Sequence, residues 1–167
     1  MIAGEYKLSF SLTWMNRIQN QSIISECREA GEQWQCQTIF SQKQENGWIE
    51  IAPPPTYSGD VFIQILPSLQ DSDSRHYKHI AKIDPAQNSE AVFLTSGNFV
   101  VTEILSWDAE HGLIYFMGTD SMRPGSRHLY VVSDNGSKDT QCITCTIKVN
   151  CLVCSFLHPY MPWPGKI

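Results

Sequence analysis

Leu8-Ser9-Phe10-Ser11-Leu12-Thr13-Trp14 alternates apolar and polar residues without interruption. Leu8, Phe10, Leu12 and Trp14 fall on one face, and Ser9, Ser11 and Thr13 on the other. That is the period of two expected of a half-buried β-strand. Working outward, Val61-Phe62-Ile63-Gln64-Ile65-Leu66 is a short apolar run that Pro67 is expected to stop. Phe99 to Leu105 and Leu113 to Met117 are rich in β-branched and aromatic residues, with a hairpin-length turn at Asp108 to Gly112 between them. No stretch of a dozen residues keeps a helical period, so the chain reads as all-β.

The turns recur. Arg28-Glu29-Ala30-Gly31-Glu32 separates Ser22–Cys27 from Trp34–Phe40. Asp84-Pro85-Ala86-Gln87-Asn88 separates His79–Ile83 from Ala91–Thr95, and Asp134-Asn135-Gly136-Ser137 separates His128–Val132 from Gln141–Ile147. Asp-Pro presets φ and Asn-Gly tolerates positive φ, so both dipeptides favour reversal. Gly31, Gln87 and Gly136 lie roughly 50 residues apart, a period found in propellers, with about four strands per unit. A β-sandwich with irregular loops fits the spacing equally well. Three units cannot close a propeller, so the chain reads as an arc of a larger ring.

Composition narrows the function classes. Of 167 residues, 17% are charged, below the ~25% usual for soluble domains. Twelve Lys and Arg against seventeen Asp and Glu give a net charge of -5 and no basic footprint for nucleic acid. No run approaches the ~18 apolar residues of a membrane span, and no signal peptide is visible at Met1 to Phe10. Six cysteines and two sequons, Asn20-Gln21-Ser22 and Asn135-Gly136-Ser137, nevertheless point to the secretory pathway. The targeting segment is therefore expected on a longer parent.

Cys27 and Cys36 flank the first turn. Opposed positions on antiparallel strands can reach the Cα spacing of a disulfide, about 5.5 Å, and a loop of roughly ten residues gives ~2–3 kcal/mol by chain entropy. The alternative is two buried thiols. Cys142-x-x-Cys145 followed by Cys151-x-x-Cys154 also invites a tetrathiolate zinc site, although zinc ribbons separate such pairs by ~12–20 residues.

Several motifs in succession resemble the propeller of the dipeptidyl peptidase IV family. Trp14-Met15-Asn16-Arg17-Ile18-Gln19-Asn20-Gln21-Ser22 is similar to its W-x-x-R-x-Q-N-x-S segment. Cys27, Trp34-Gln35-Cys36 and Asn46-Gly47-Trp48 follow in the family's order. Leu94 to Val101 resembles L-T-x-G-x-[WF]-x-V, and Ile114-Tyr115-Phe116 comes next. Pro124 to Tyr130 is similar to P-x-x-R-x-L-Y, while Cys142-Ile143-Thr144-Cys145 and Cys151 match C-[IL]-x-C and the next cysteine. The likeness covers roughly Leu8 to Cys151, and its ordered succession is specific where each motif alone is weak.

The resemblance implies part of an eight-bladed propeller, about three four-stranded blades over residues 1–153, with a divergent, disordered tail over 154–167. It implies a parent of the cell surface or secreted space, a glycoprotein whose α/β-hydrolase domain removes N-terminal dipeptides. The family's paired glutamates lie upstream, and its catalytic triad and oxyanion tyrosine lie downstream. No G-x-S-x-G nucleophile elbow occurs here, so the chain alone is expected to have no activity and no cofactor. Implied partners are peptide substrate, the hydrolase domain, and a second copy or a cell-surface protein.

The resemblance also implies a Cys142–Cys145 disulfide, and pairs Cys151 with a cysteine that this chain lacks, leaving Cys154 as a substitute partner or Cys151 free. After Gly47-Trp48, family enzymes carry a Phe-Arg pair at the edge of the substrate cleft. Here the neighbourhood reads Ile51-Ala52-Pro53-Pro54-Pro55, which puts the parent's specificity and activity in question. Inactive relatives that serve as accessory subunits of potassium channels are the runner-up, and a small zinc-stabilised adaptor is the third reading. Elsewhere, His76 and His79 read as part of a solvated strand, and Asp71-Ser72-Asp73-Ser74 lacks the glycine and closing glutamate of a calcium loop. Pro159, Pro162 and Pro164 in the tail suggest polyproline recognition only remotely.

Overall fold

The computed structural model describes residues 8–45, 47–70 and 75–146, and these contain eleven strands and no helix. The first sheet is an antiparallel meander of β1 (Ser9–Met15), β2 (Gln21–Ala30) and β3 (Gln33–Lys43). The second joins β4 (Thr56–Ser58), β5 (Val61–Gln70), β6 (Arg75–Ile83) and β7 (Ala91–Phe93). The third joins β8 (Val101–Asp108), β9 (Leu113–Thr119), β10 (Arg127–Ser133) and β11 (Thr140–Cys142). Within each sheet, every strand pairs with its sequence neighbour.

Stacking of these meanders decides between sandwich and propeller. Along β5, side chains alternate across the middle sheet. Phe62 and Leu66 join Ile24, Ile39 and Phe40 of the first sheet, while Ile63 and Ile65 join Val101, Ile114, Phe116 and Val132 of the third. The middle sheet is therefore buried on both faces, and the layers number three. A sandwich has two, so the chain is a partial β-propeller with meanders as blades. Each of these fully buried aliphatic or aromatic side chains contributes about 1.5–3 kcal/mol.

Polar contacts pin the layers. Asp134 after β10 accepts the Trp107 indole N–H at 3.1 Å, and Lys82 of β6 lies 3.5 Å from the same carboxylate oxygen. That ammonium also sits 5.8 Å from the Trp107 ring centroid, so one half-buried charge couples two sheets. Arg28 binds Glu26 at 2.9 Å and reaches Asp60 across to the second sheet at 2.7 Å. The latter pair is exposed and contributes little.

Three expectations are corrected. The first turn is Gly31-Glu32 alone, because Gly31 at φ +66° supplies the reversal and leaves Arg28 to Ala30 in β2. Pro67 does not stop its strand, since β5 continues to Gln70. Beyond Ile63, which lies opposite the first residue of β4, β5 pairs among the described residues only with β6, and proline is tolerated on such a free edge. The last strand ends at Cys142, where the chain turns.

The opening alternation is a strand, but its apolar row is exposed, with Trp14 at 58%. Pairing sets this. Phe10 lies opposite Cys27 and Leu12 opposite Ser25, on the face away from the one where Ile24 and Phe40 meet the second sheet.

Candidate functional site

The segment between β3 and β4 is held by the turn that precedes β2. Asn16 Oδ1 accepts the N–H groups of Asn20 and Gln21 at 3.0 and 3.1 Å, and Gln19 takes φ +57°. This fixes the direction of two carbonyls. The Asn20 carbonyl accepts Gln44 N–H at 2.8 Å, and the Gln19 carbonyl accepts Ile49 N–H at 2.6 Å. Ile49 is buried as an anchor, whereas its neighbours Trp48 and Ile51 stand 73% and 79% exposed.

Behind them opens a groove of about 310 Å³, bounded by Trp48, Ile51, Pro53, Pro67, Lys78 and Val100. All three sheets contribute to its walls or to the segment that covers it. Lys78 and Glu50 form an ion pair, so the lysine at the groove carries no unbalanced charge. An exposed indole, prolines and aliphatic walls suit an apolar or proline-containing segment of extended chain. Such a groove can bind and exclude water; these walls hold no nucleophile-base pair. The stretch Ile51 to Pro55 faces the groove through Ile51, Ala52 and Pro53.

Other singled-out residues lie apart from the groove. Cys27 and Cys36 are directly opposed and joined by a disulfide, with Cα atoms 4.0 Å apart, nearer the spacing of a non-hydrogen-bonded pair than of a hydrogen-bonded one. Phe10 and Trp34, with ring centroids 4.8 Å apart, are on β1 and β3, and Cys27 is 1% exposed. A second disulfide joins Cys142 and Cys145. Their sulfurs are thus spent on each other, and the tetrathiolate zinc reading does not describe this oxidised chain. Cys151 and Cys154, the tail, and Asp71 to Ser74 lie outside the described residues.

Asn20 sits half-buried in the β1–β2 turn, and Asn135 is exposed in the β10–β11 turn, its carboxamide oxygen accepting Ser137 N–H at 2.9 Å. His76 is exposed, but His79 is fully buried, which corrects the expectation of a solvated strand. Three residues apart on a strand, the two point to opposite faces. His79 Nδ1 lies 2.9 Å from Thr95 Oγ1, and Nε2 lies 3.0 Å from the Gly97 carbonyl. It thereby ties β6 to the Leu94-Thr95-Ser96-Gly97 motif, where Gly97 at φ +115° occupies a conformation other residues avoid. Neither this clip nor the Glu50–Lys78 pair carries a local sequence signal, because the partners are 16 to 28 residues apart.

Residues 4–158 match the family described as Dipeptidyl peptidase IV (DPP IV) N-terminal region. The chain belongs to this family. It is 32% identical to prolyl endopeptidase FAP of Bos taurus over 82% of its own length and 18% of that protein. Toward inactive dipeptidyl peptidase 10 of Mus musculus the identity is 31%, over 83% of the chain and 18% of the relative. Toward venom dipeptidyl peptidase 4 of Vespa velutina it is 30%, over 80% and 17%. The chain thus spans under a fifth of the length of these curated relatives. Identity is nearly equal toward proteins named as peptidases and one named inactive, so it favours neither.

Proposed function

We propose that this chain is a propeller sector of a dipeptidyl peptidase IV-like serine peptidase, and that its role is scaffolding and control of substrate access. The groove beneath Trp48 and Ile51 carries this reading, being mostly apolar, shaped by all three sheets and lined by the Lys78–Glu50 ion pair but by no nucleophile-base pair. In the whole protein, an α/β-hydrolase domain would supply the serine nucleophile, and the exposed row Leu8, Phe10, Leu12 and Trp14 would be covered by an adjoining blade. Two disulfides favour an oxidising compartment, hence an extracellular or secreted parent, with Asn20 and Asn135 as glycan acceptors.

The test is the full-length transcript expressed beside this chain and assayed on Ala-Pro and Gly-Pro reporters. The parent should turn over and carry a G-x-S-x-G elbow, and the chain alone should not. Turnover by the chain that survives a serine-hydrolase contamination control overturns the assignment of chemistry to another domain.

A second reading is favoured by one observation, the apolar Ile51 to Pro55 stretch where family enzymes carry Phe-Arg. It makes the parent an inactive accessory protein of the membrane, associated with a potassium channel. A parent lacking the elbow and inert on both reporters would establish that reading over the first.

A further inference from the structure

The turn after β11 collects soft ligands around the disulfide. On β10, alternation puts His128 and Tyr130 on one face, and Cys142 lies directly opposite Tyr130 in the register. Ring nitrogen of His128 and the sulfurs of Cys142 and Cys145 offer one ligand atom each, all within 4.8 Å of one another. His128 Nε2 is buried and has no hydrogen-bond partner, an unspent lone pair or proton in a place where polar groups are normally satisfied. Cys145 N–H is directed at Cys142 Sγ, 3.0 Å away.

Hydrogen bonds as well as the sulfur–sulfur bond hold this turn in place. Ile143 N–H donates to the Leu129 carbonyl at 2.8 Å, and Leu129 N–H donates to Thr144 Oγ1 at 3.0 Å. Thr144 Oγ1 also lies 3.3 Å from His128 Nδ1, so the turn and the imidazole are positioned together. Cys142 is half-buried and Cys145 exposed, which leaves the bond open to attack.

We propose that Cys142, Cys145 and His128 form a redox-gated site for a thiophilic divalent cation of the zinc class. While the disulfide stands, the site is closed. A dithiol reductant transfers two electrons and two protons to the cystine, giving two thiols and leaving the reductant as its own disulfide. The cation then displaces both thiol protons and takes two thiolates and one imidazole nitrogen, with water in a fourth, open position. The inference is independent of the peptidase reading.

The experiment uses the 167-residue chain with Cys151→Ser and Cys154→Ser, so that neither cysteine can supply a ligand. After reduction by a dithiol and its removal under argon, cobalt(II) is titrated as the probe. The expected result is one equivalent bound, with thiolate-to-metal absorption in the near ultraviolet, and none bound by the oxidised chain. His128→Gln should weaken binding at least about tenfold, since losing even a supporting partner of a metal ligand costs that much. Alkylation and mass mapping should mark Cys142 and Cys145, and the buried Cys27 last.

Unchanged cobalt affinity in His128→Gln overturns the proposal. So does cobalt uptake that needs Cys151 and Cys154, or a reduced chain that keeps its β-sheet circular dichroism and binds no metal. Loss of the sheet signal on selective opening of Cys142–Cys145 also counts against it, because the site needs the turn's hydrogen bonds to hold once the disulfide opens.

Discussion

His79 makes the stability of this chain depend on pH near neutrality. The ring is fully buried, with the edge-on ring of Phe99 at a centroid distance of 5.0 Å. The Gly97 carbonyl can only accept, so Nε2 carries the proton; Thr95 Oγ1 already accepts Ile80 N–H at 3.0 Å, so its hydroxyl donates to Nδ1. A second ring proton would have to enter at Nδ1, against that hydroxyl. Burial lowers the pKa of His79 below its ordinary 6.5, the Gly97 hydrogen bond opposes this, and the charge of Lys138 adds to the lowering. The unfolded chain thus takes up this proton at higher pH than the folded one. Above about pH 6.5 both states are neutral and the full contribution stands; below it, stability falls with pH by up to about 1.4 kcal/mol per unit until the folded pKa is reached. Urea unfolding at pH 7.5 and 5.5 measures this. His79→Gln, which keeps a donor and an acceptor but does not titrate, supplies the reference in which all other groups cancel. The wild type should lose stability relative to the variant by up to about 1.4 kcal/mol between the two conditions. Equal losses in both proteins would refute the reasoning.

Further outcomes follow from burial and chain connectivity. Replacing Cys27 and Cys36 by serine opens a bridge of sequence separation 9, and the chain-entropy model gives a loss of about 2.6 kcal/mol, read as a lower urea midpoint. Phe116→Ala empties the middle of the second core and should cost about 3–5 kcal/mol, whereas Met122→Ala, at an 86% exposed position, should change stability by less than about 0.5 kcal/mol. Leu12→Lys with Trp14→Lys should reduce binding of a hydrophobic dye by the isolated chain at nearly constant stability, because that row is exposed already. A dye signal unchanged by the double substitution would place the accessible apolar surface elsewhere.

Local alternation along the chain is what made the strands legible, and the limits of that signal are visible in two of them. A period of two says that a strand has an apolar face, but which side meets the core is set by its partners. Leu8 to Trp14 has the stronger pattern, yet its apolar row is exposed, while the weaker Ile24 and Phe40 find Phe62 and Leu66. In β5 the pattern is nearly continuous from Val61 to Leu66 because both faces are covered there, while pairing with β6 carries the strand past Pro67 to Gln70. The turns were legible through Gly31, Asp84 and Asn135, whose chemistry acts within a few residues. What joins blade to blade was not, since Lys82 meets Asp134 across 52 positions and His79 meets Gly97 across 18. The motifs of the resemblance fix a blade to the linker that leaves it. Asn16, Gln19 and Asn20 aim two carbonyls at the groove segment, and Thr95 and Gly97 clamp His79. A residue whose contact lies in such a linker leaves no period behind it. The groove's boundary therefore follows from these clamps, and a change at Asn16 should alter the Trp48 environment although the two are 32 residues apart in sequence.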